Sequence, residues 1–256
     1  MAQKNKTSNI IENKYITQPT DGGDGISLYD GQHWIIQSCI VDLSDCDLDD
    51  IDEALGITYG SSANVKNCVF RGAGKLILCG CGDKDKIHLE EGKEVVFENC
   101  IFENFGRRGP EVQDGMNITL RNCLIRNWGD PDRFDTRNFA AWAHHGGSIV
   151  CENCIFWQDT KERPTWQNIK DKANHIGQAV NYAGVKALFE KKTYIPGVER
   201  GLIQTNGGAV YAKNVYRNKS WIYLDNVESY MSVNEALSRI EQLEAMKDKL
   251  YKKLVK

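Results

Sequence analysis

The sequence predicts an all-β fold, a right-handed parallel β-helix that is followed by a C-terminal α-helix. Two observations carry this prediction. A short strand pattern built around a cysteine recurs from Gln37 to Phe156, and an apolar stripe at helical spacing closes the chain. Repetition of one strand unit is typical of solenoids, in which each coil pairs with its neighbours.

The recurring unit places one cysteine in each coil. It reads QSCIV, KNCVF, ENCIF, RNCLI and ENCIF, and its cysteines follow each other at spacings of 29, 32, 23 and 31 residues: Cys39, Cys68, Cys100, Cys123 and Cys154. Those spacings suit one turn of a β-helix, whereas a β-sandwich would show strands about every 8 to 12 residues with hairpin signals. We expect the cysteines to stack inside as reduced thiols, with the preceding asparagines at bends.

The chain divides into three predicted regions. Residues 1–20 form an N-terminal arm, 21–230 a β-helix domain with a loop-rich insertion around 158–200, and 231–256 an amphipathic helix. Lys247 interrupts the apolar stripe of that helix, which consists of Ala236, Ile240, Leu243, Leu250 and Leu254. The stripe predicts assembly into a homo-oligomer or attachment to virion proteins, and packing on the chain's own end is the alternative.

Composition excludes several functions. The 256 residues are 41% hydrophobic and 26% charged, and the net charge of -3 gives no case for binding nucleic acid or an anionic membrane. No run of 18 apolar residues is present. The polar N-terminal segment lacks the apolar stretch of a signal peptide, so we expect synthesis in a reducing cytoplasm. Incorporation into a virion would be one route out of the cell.

Two acidic groups in the sequence precede a pair of adjacent arginines. One acidic group contains Asp24, the next contains Asp52 and Glu53, and a turn after the third cysteine carries Arg107 and Arg108. Carboxylates on adjacent coils can meet, and clusters of oxygen ligands suit calcium. Composition alone leaves a calcium site and solvated acidic loops as alternatives.

The order of these motifs resembles a known family. The segments GDGI, HWIIQ, DLDDIDEALG, ANVKNCVF, GAGKLILCGCGD and FGRRGP follow one another as similar motifs do in the calcium-dependent pectate lyases, and a phage-borne version of such a lyase is one interpretation of the chain. The resemblance covers Asp21 to Trp128 and fades through Phe156. It implies a polysaccharide lyase that cleaves an acidic, uronate-containing polysaccharide by β-elimination.

The resemblance also implies site residues. Asp24 and Asp52 match calcium-binding acids, Glu53 or Asp50 would compensate for a further acid that is missing, and Lys75 matches the lysine that holds the substrate carboxylate. Arg108 matches the catalytic arginine. Two further positions, Arg107 and Gln113, would contact substrate; Gln113 and Gly56 stand where many members have an arginine and a calcium-binding aspartate.

The implied chemistry has one difficulty and two alternatives. Arg108 would take the C5 proton of a uronate, although a free guanidinium is always protonated. A two-carboxylate hydrolase could use Asp114 and Asp52. A β-helix that binds carbohydrate without cleaving it, such as a phage tail or tailspike component, would need no base at all.

Other side chains are weaker candidates. His144 and His145 are expected to face opposite sides of a strand, and Glu98 and Glu152 to lie at bends. Four tryptophans could stack on sugar rings or cover the solenoid: Trp128, Trp142, Trp157 and Trp166.

Overall fold

The fold is a parallel β-helix, as predicted. The computed structural model describes residues 9–19, 23–46, 53–81, 83, 85–106, 108–129, 139–159 and 200–255. In these ranges the chain winds through three parallel sheets of seven strands, and each coil adds one strand to each sheet. Most of the predicted insertion at 158–200 lies outside the described residues.

The three sheets are named by the order in which the chain enters them. Sheet 1 comprises β1 (Asn9–Glu12), β4 (His33–Gln37), β7 (Ser62–Lys66), β10 (Glu94–Glu98), β13 (Asn117–Arg121), β16 (Ser148–Glu152) and β19 (Ala209–Lys213). Sheet 2 comprises β2 (Tyr15–Ile16), β5 (Ile40–Asp42), β8 (Val69–Arg71), β11 (Ile101–Phe105), β14 (Leu124–Trp128), β17 (Ile155–Trp157) and β20 (Tyr216–Arg217). Sheet 3 comprises β3 (Ile26–Leu28), β6 (Glu53–Ile57), β9 (Lys75–Cys79), β12 (Arg108–Val112), β15 (Ala141–Ala143), β18 (Arg200–Gln204) and β21 (Tyr223–Leu224). Two helices are described, α1 (Ile87–Glu90) and α2 (Val233–Leu254).

Left-handed asparagines turn the chain from sheet 1 into sheet 2. Asn67, Asn99, Asn122 and Asn153 have φ angles of 52°, 54°, 51° and 57°. Asparagine tolerates this region better than most residues. The Asn99 amide donates to Asn67 Oδ1 on the previous coil at 3.3 Å. The predicted bend positions are therefore confirmed.

The cysteine column lies in the core. All five predicted cysteines are fully buried and free: Cys39, Cys68, Cys100, Cys123 and Cys154. Each thiol lies near the carbonyl two residues before it, as Cys68 Sγ does at 3.2 Å from the Lys66 oxygen. Burial raises the pKa of the Cys68 and Cys123 thiols well above the ordinary value. These two thiols are thus held in the unreactive protonated form, and burial keeps reagents from all five cysteines.

Native-state labelling should separate these cysteines from the two that are partly exposed. A maleimide reagent should modify Cys46 and Cys81 within minutes while the buried column reacts only after denaturation. Peptide mass spectrometry of native and urea-treated protein would measure this. Rapid native labelling of Cys68 or Cys123 would contradict the coil register.

The solenoid begins earlier than the sequence predicted. Residues 9–16 belong to the predicted arm, yet β1 pairs with β4 and β2 pairs with β5. Ile11 and Ile16 pack against the core and so fix the first coil onto the second. The boundary at residue 20 therefore falls within the β-helix.

Helix α2 lies on the outer face of sheet 2. Ser232 caps it by accepting a hydrogen bond from Glu235 N at 3.2 Å. Ala236, Leu243 and Leu250 are buried in a cluster with an apolar row of sheet 2 that contains one residue from each of five coils: Ile40, Val69, Ile101, Leu124 and Ile155. The apolar stripe thus packs on the chain's own sheet.

Lys247, the interruption in that stripe, has a partner of opposite charge. Its Nζ lies 3.3 Å from Glu103 Oε2 and 2.7 Å from Glu244 Oε2. Glu103 is almost fully buried, and the Arg126 guanidinium contacts the same carboxylate at 2.5 Å. The lysine therefore adds a further cation to a buried carboxylate of sheet 2, which would be costly without partners.

The helix runs back along the solenoid from its last coils to its first. Near its start, Glu235 accepts from the Asn214 amide at 3.0 Å. Near its end, the Tyr251 hydroxyl lies 3.4 Å from Asp42 Oδ2, and Lys253 donates to Asn13 Oδ1 at 2.6 Å. Neither described helix has the length and apolar character needed to cross a membrane.

Candidate functional site

Charged residues from successive coils lie at the N-terminal ends of three neighbouring strands of sheet 3. Glu53, Lys75 and Arg108 begin β6, β9 and β12, and each is the register partner of the next. Neighbouring strands lie about 4.8 Å apart, so the three side chains start from adjacent rungs. Lys75 Nζ contacts Glu53 Oε1 at 2.8 Å. This charged row unites three residues that the sequence singled out.

A second carboxylate, Asp24, lies next to Glu53 and completes an acid pair. Asp24 is 3% exposed and accepts hydrogen bonds from Ser27 Oγ at 3.0 Å, from the Tyr29 hydroxyl and from Glu53 N at 3.3 Å. Burial, together with contact with the Asp24 carboxyl, raises the pKa of Glu53 from 4.5 to about 7, against the opposing effect of Lys75. The acid pair therefore carries less than two full negative charges near neutral pH.

The raised pKa of Glu53 predicts a pH-dependent loss of stability. Because the folded pKa lies above the unfolded value of 4.5, the contribution is full below about 4.5 and is lost as pH rises through about 7. The Glu53→Gln variant keeps a neutral group and should lack this decline. Urea unfolding of both proteins between pH 4 and 8, an interval chosen to bracket the two pKa values, would measure it. Parallel pH profiles would contradict the assignment.

Arg108 is held in a buried cluster with Glu111 and His144. Its Nη1 lies 2.6 Å from each carboxylate oxygen of Glu111, three residues further along β12. His144 Nε2 contacts Glu111 Oε1 at 2.9 Å, and the guanidinium carbon lies 4.7 Å from the centre of the Trp142 ring. All three charged or titratable groups are less than a tenth exposed.

The cluster determines what Arg108 can do. Burial raises the pKa of Glu111, but hydrogen bonding to His144 and the charge of Arg108 outweigh it, so the pKa lies below its usual value. An ionised Glu111 stabilises the charged guanidinium. Among the described residues, Arg108 Nε is buried without a hydrogen-bond partner. Arg108 therefore keeps one donor unused while its Nη1 is committed to Glu111.

Two other predicted residues lie at the opposite end of the same strand. Gln113 follows β12 and donates from Nε2 to the Gly80 carbonyl at 3.2 Å, and Asp114 adopts a φ of 59° in the turn beyond it. Five residues of extended chain place Gln113 about 17 Å from Arg108. The structure thus brings Asp24, Glu53, Lys75 and Arg108 together and leaves Gln113 apart. Arg107 and Asp52 lie outside the described residues.

The two histidines do not face opposite sides, contrary to the prediction. His145 has a φ of 45° in the turn that follows β15, and its Nδ1 lies 3.1 Å from Nδ1 of His144. Strand alternation ends at Ala143, so it does not apply to this pair. Both rings can therefore contribute to one site.

The tryptophans that the structure describes are mainly packing residues. Trp128 is buried in the core, and Trp157 packs against the cluster under α2. The rings of Phe139 and His144 both stack on Trp142, with centroids at 4.6 and 3.9 Å, which leaves it little free face for a sugar. Trp166 lies outside the described residues.

Glu98 and Glu152 end strands β10 and β16 on the outer face of sheet 1. Each forms an ion pair there, Glu98 with Lys66 at 2.9 Å and Glu152 with Arg121 at 2.9 Å. These partners on neighbouring coils give both acids a structural role, away from sheet 3.

The acid pair fits calcium by donor type. Asp24 and Glu53 supply carboxylate oxygens, and the hydroxyls of Ser27 and Tyr29 adjoin them. Calcium takes six to eight oxygens, more than two carboxylates provide. No group of three or more His, Cys, Asp or Glu able to hold a metal occurs among the described residues. A substrate carboxylate or residues outside the described ranges would have to complete the shell.

Three important contacts were not predicted. Glu111 holds Arg108, His144 bonds to Glu111, and the Tyr29 hydroxyl contacts Asp24. The sequence carried no signal for the contact between Glu111 and Arg108, because residues three apart in a strand ordinarily lie on opposite faces.

The stacked coils and the charged row define a parallel β-helix protein with a candidate site on one sheet. The family model described as a right handed beta helix region matches residues 1–161, and the chain belongs to that family. A solved structure of the thermostable pectate lyase PL 47 is similar in fold, with a TM-score of 0.50 and 14% identity. The similarity covers 93% of this chain and 62% of that one, so this chain spans less than two thirds of its length. No curated protein matches the sequence.

Proposed function

We propose that the protein is a polysaccharide lyase that cleaves an acidic, uronate-containing polysaccharide by β-elimination. The observation that carries this proposal is the charged row of Glu53, Lys75 and Arg108 on successive coils of sheet 3, with Asp24 beside it. Two cations one rung apart suit a sugar carboxylate. The fold that it shares with a pectate lyase supports the same class of reaction without showing it.

In this reaction the C5 proton of a uronate leaves to a base and the C4 to oxygen bond breaks. The electrons of the C5–H bond form a double bond between C4 and C5, and the departing oxygen keeps the electrons of the C4–O bond and takes a proton. Lys75 and Arg108 would bind the C6 carboxylate and stabilise the negative charge that develops on it. Calcium, held by Asp24 and Glu53 when bound, would add positive charge at the same carboxylate.

Arg108 can serve this reaction in two ways. As a fixed cation it would stabilise charge on the substrate carboxylate while its Nη1 stays paired with Glu111. As the base that the family resemblance implies, it would first have to leave Glu111, because the ion pair favours the charged guanidinium. The buried ion pair supports the first role as the resting arrangement.

A second candidate function is a β-helix that binds a polysaccharide or forms a structural part, such as a phage tail component, without turnover. One observation favours it: both cations of the row already have acidic partners, Glu53 for Lys75 and Glu111 for Arg108, in largely buried contacts. Such pairs are satisfied without substrate.

A panel of polysaccharides separates the two functions. Polygalacturonate, alginate and a neutral glucan would be incubated with the protein in calcium and, separately, in a calcium-selective chelator. A lyase produces an unsaturated uronate, seen as rising ultraviolet absorbance, from an acidic polymer only, and the chelator abolishes the rise without unfolding. Binding measured by affinity electrophoresis without any absorbance change would support the non-catalytic function instead. Activity that persists after verified removal of metal would exclude the calcium-assisted route.

A further inference from the structure

Tyr29, which is exposed, and Tyr59, which is half-buried, form an aromatic pair beside the acid pair. Their rings meet edge to face, with centroids 5.9 Å apart and planes inclined by 78°. Tyr29 is 44% exposed, although its hydroxyl is anchored on the buried Asp24 carboxylate. Large aromatic side chains are usually more deeply buried, and an anchored ring that remains open to solvent is a rigid surface for contact.

Gly56 makes room for the Tyr29 ring over β6. A Cβ atom at Gly56 would lie 2.5 Å from the Tyr29 hydroxyl oxygen and 3.2 Å from its Cε1. Gly56 is the register partner of Ser27 and Leu78 on the neighbouring strands of sheet 3. The ring therefore lies across the same sheet that carries Lys75 and Arg108.

The backbone of Tyr59 is fixed by hydrogen bonds to a buried carboxylate. It has a φ of 55° in the turn after β6, and the buried Glu90 accepts from Tyr59 N at 2.5 Å and from Gly60 N at 3.3 Å. Lys86 Nζ lies 4.2 Å from the centre of the Tyr59 ring and also pairs with Asp83 at 3.6 Å. The aromatic pair is thus preorganised and has a lysine next to it.

We propose that Tyr29 and Tyr59 form a sugar-stacking subsite that binds one ring of an acidic polysaccharide adjacent to the charged row. The inference rests on the proposed function and assigns to it two residues that determine affinity.

The surroundings of the two tyrosines favour an acidic sugar chain as the ligand. An aromatic ring with one open face stacks on the C–H face of a sugar, and the anchored hydroxyl removes rotational freedom that binding would otherwise restrict. Lys86, which precedes α1, lies beside Tyr59, and Lys75 on sheet 3 lies beyond the acid pair, so positive charge is present at two points near the tyrosines. A chain of uronate rings presents carboxylates at repeated intervals, which matches cations on both sides of an aromatic surface.

Affinity for oligogalacturonate and for oligoalginate, measured by calorimetry at a pH where the wild type is stable, tests the inference. The Tyr29→Ala variant should bind roughly tenfold more weakly, whereas Tyr29→Phe keeps the ring and should bind nearly as well as wild type. Tyr211→Ala, which alters a tyrosine of 43% exposure on sheet 1, is the matched control and should have no effect.

The outcomes separate this inference from the proposed function. Loss of affinity in Tyr29→Ala but not in Tyr29→Phe or Tyr211→Ala supports the subsite. Wild-type binding that Tyr29→Ala and Tyr59→Ala leave unchanged overturns the subsite and leaves the proposed function standing. Equal weakening in Tyr29→Phe would assign the effect to the Asp24 hydrogen bond and so overturn the stacking role. Failure of the wild type to bind either oligosaccharide overturns both.

Discussion

The Arg108→Lys variant should lose elimination activity by roughly a hundredfold or more while its fold is retained. Lysine keeps the positive charge and could contact Glu111 as the single Nη1 atom does, but it lacks the other guanidinium nitrogens and the planar surface that lies over Trp142. Its single ammonium group could hold Glu111 or a substrate carboxylate, not both in the present geometry. Initial rates from the rise of unsaturated uronate, with circular dichroism as the folding check, would measure the effect.

Two further variants sharpen this result. Arg121→Lys changes an exposed arginine that pairs with Glu152 on sheet 1, and it should leave activity unchanged. Glu111→Gln keeps the shape of the side chain but removes the charge that holds Arg108, so it tests whether the guanidinium acts as a fixed cation or as a base. A base should become more effective when its anionic partner is removed, and a fixed cation should lose its orientation. Near-normal rates for Arg108→Lys would remove Arg108 from the reaction.

The Leu243→Asp variant should reduce the free energy of unfolding by about 3 kcal/mol or more, because it removes a buried side chain and places a charge against sheet 2. Leu243 is 5% exposed and faces the row that contains Ile101 and Leu124. Urea unfolding, followed by circular dichroism, gives the difference.

The same helix supplies the control. Leu237 is 44% exposed, so Leu237→Asp makes the same chemical change without loss of packing and should cost less than about 0.5 kcal/mol. Equal losses of unfolding free energy in the two variants would mean that the apolar stripe of α2 does not pack on sheet 2 in solution. A role of α2 in assembly stays a prediction. Light scattering would test it by comparing the mass of the protein before and after deletion of 233–256.

The coil order could be predicted because one cysteine recurs at each bend. Once the spacings of Cys39, Cys68, Cys100 and Cys123 are known, equivalent positions of successive coils fall on one sheet edge. The spacing alone does not align the loops between the sheets: the family resemblance singled out Lys75 and Arg108, and the structure places them side by side.

Side-chain directions could not be predicted in the same way. Glu111 reaches back to Arg108, and Glu103 meets Lys247 across 144 residues of sequence, so neither contact follows from a local pattern. The prediction that the two histidines face opposite sides was wrong because His145 has a left-handed φ and lies in a turn. The alternation of side chains along a strand therefore does not extend to it. Contacts of this kind depend on tertiary packing, which one sequence does not reveal.

The course of α2 along the outside of the solenoid changes how the molecule should unfold. Its 22 residues extend about 33 Å, close to the roughly 29 Å spanned by seven stacked strands. A solenoid held only by neighbour contacts frays from its ends coil by coil. Here Lys253 is bonded to Asn13 in the first coil and Glu235 to Asn214 in the last, so opening either end requires release of the helix. We expect amide hydrogen exchange in the terminal coils to be nearly as slow as in the central ones, and mechanical or chemical unfolding to occur as one cooperative event.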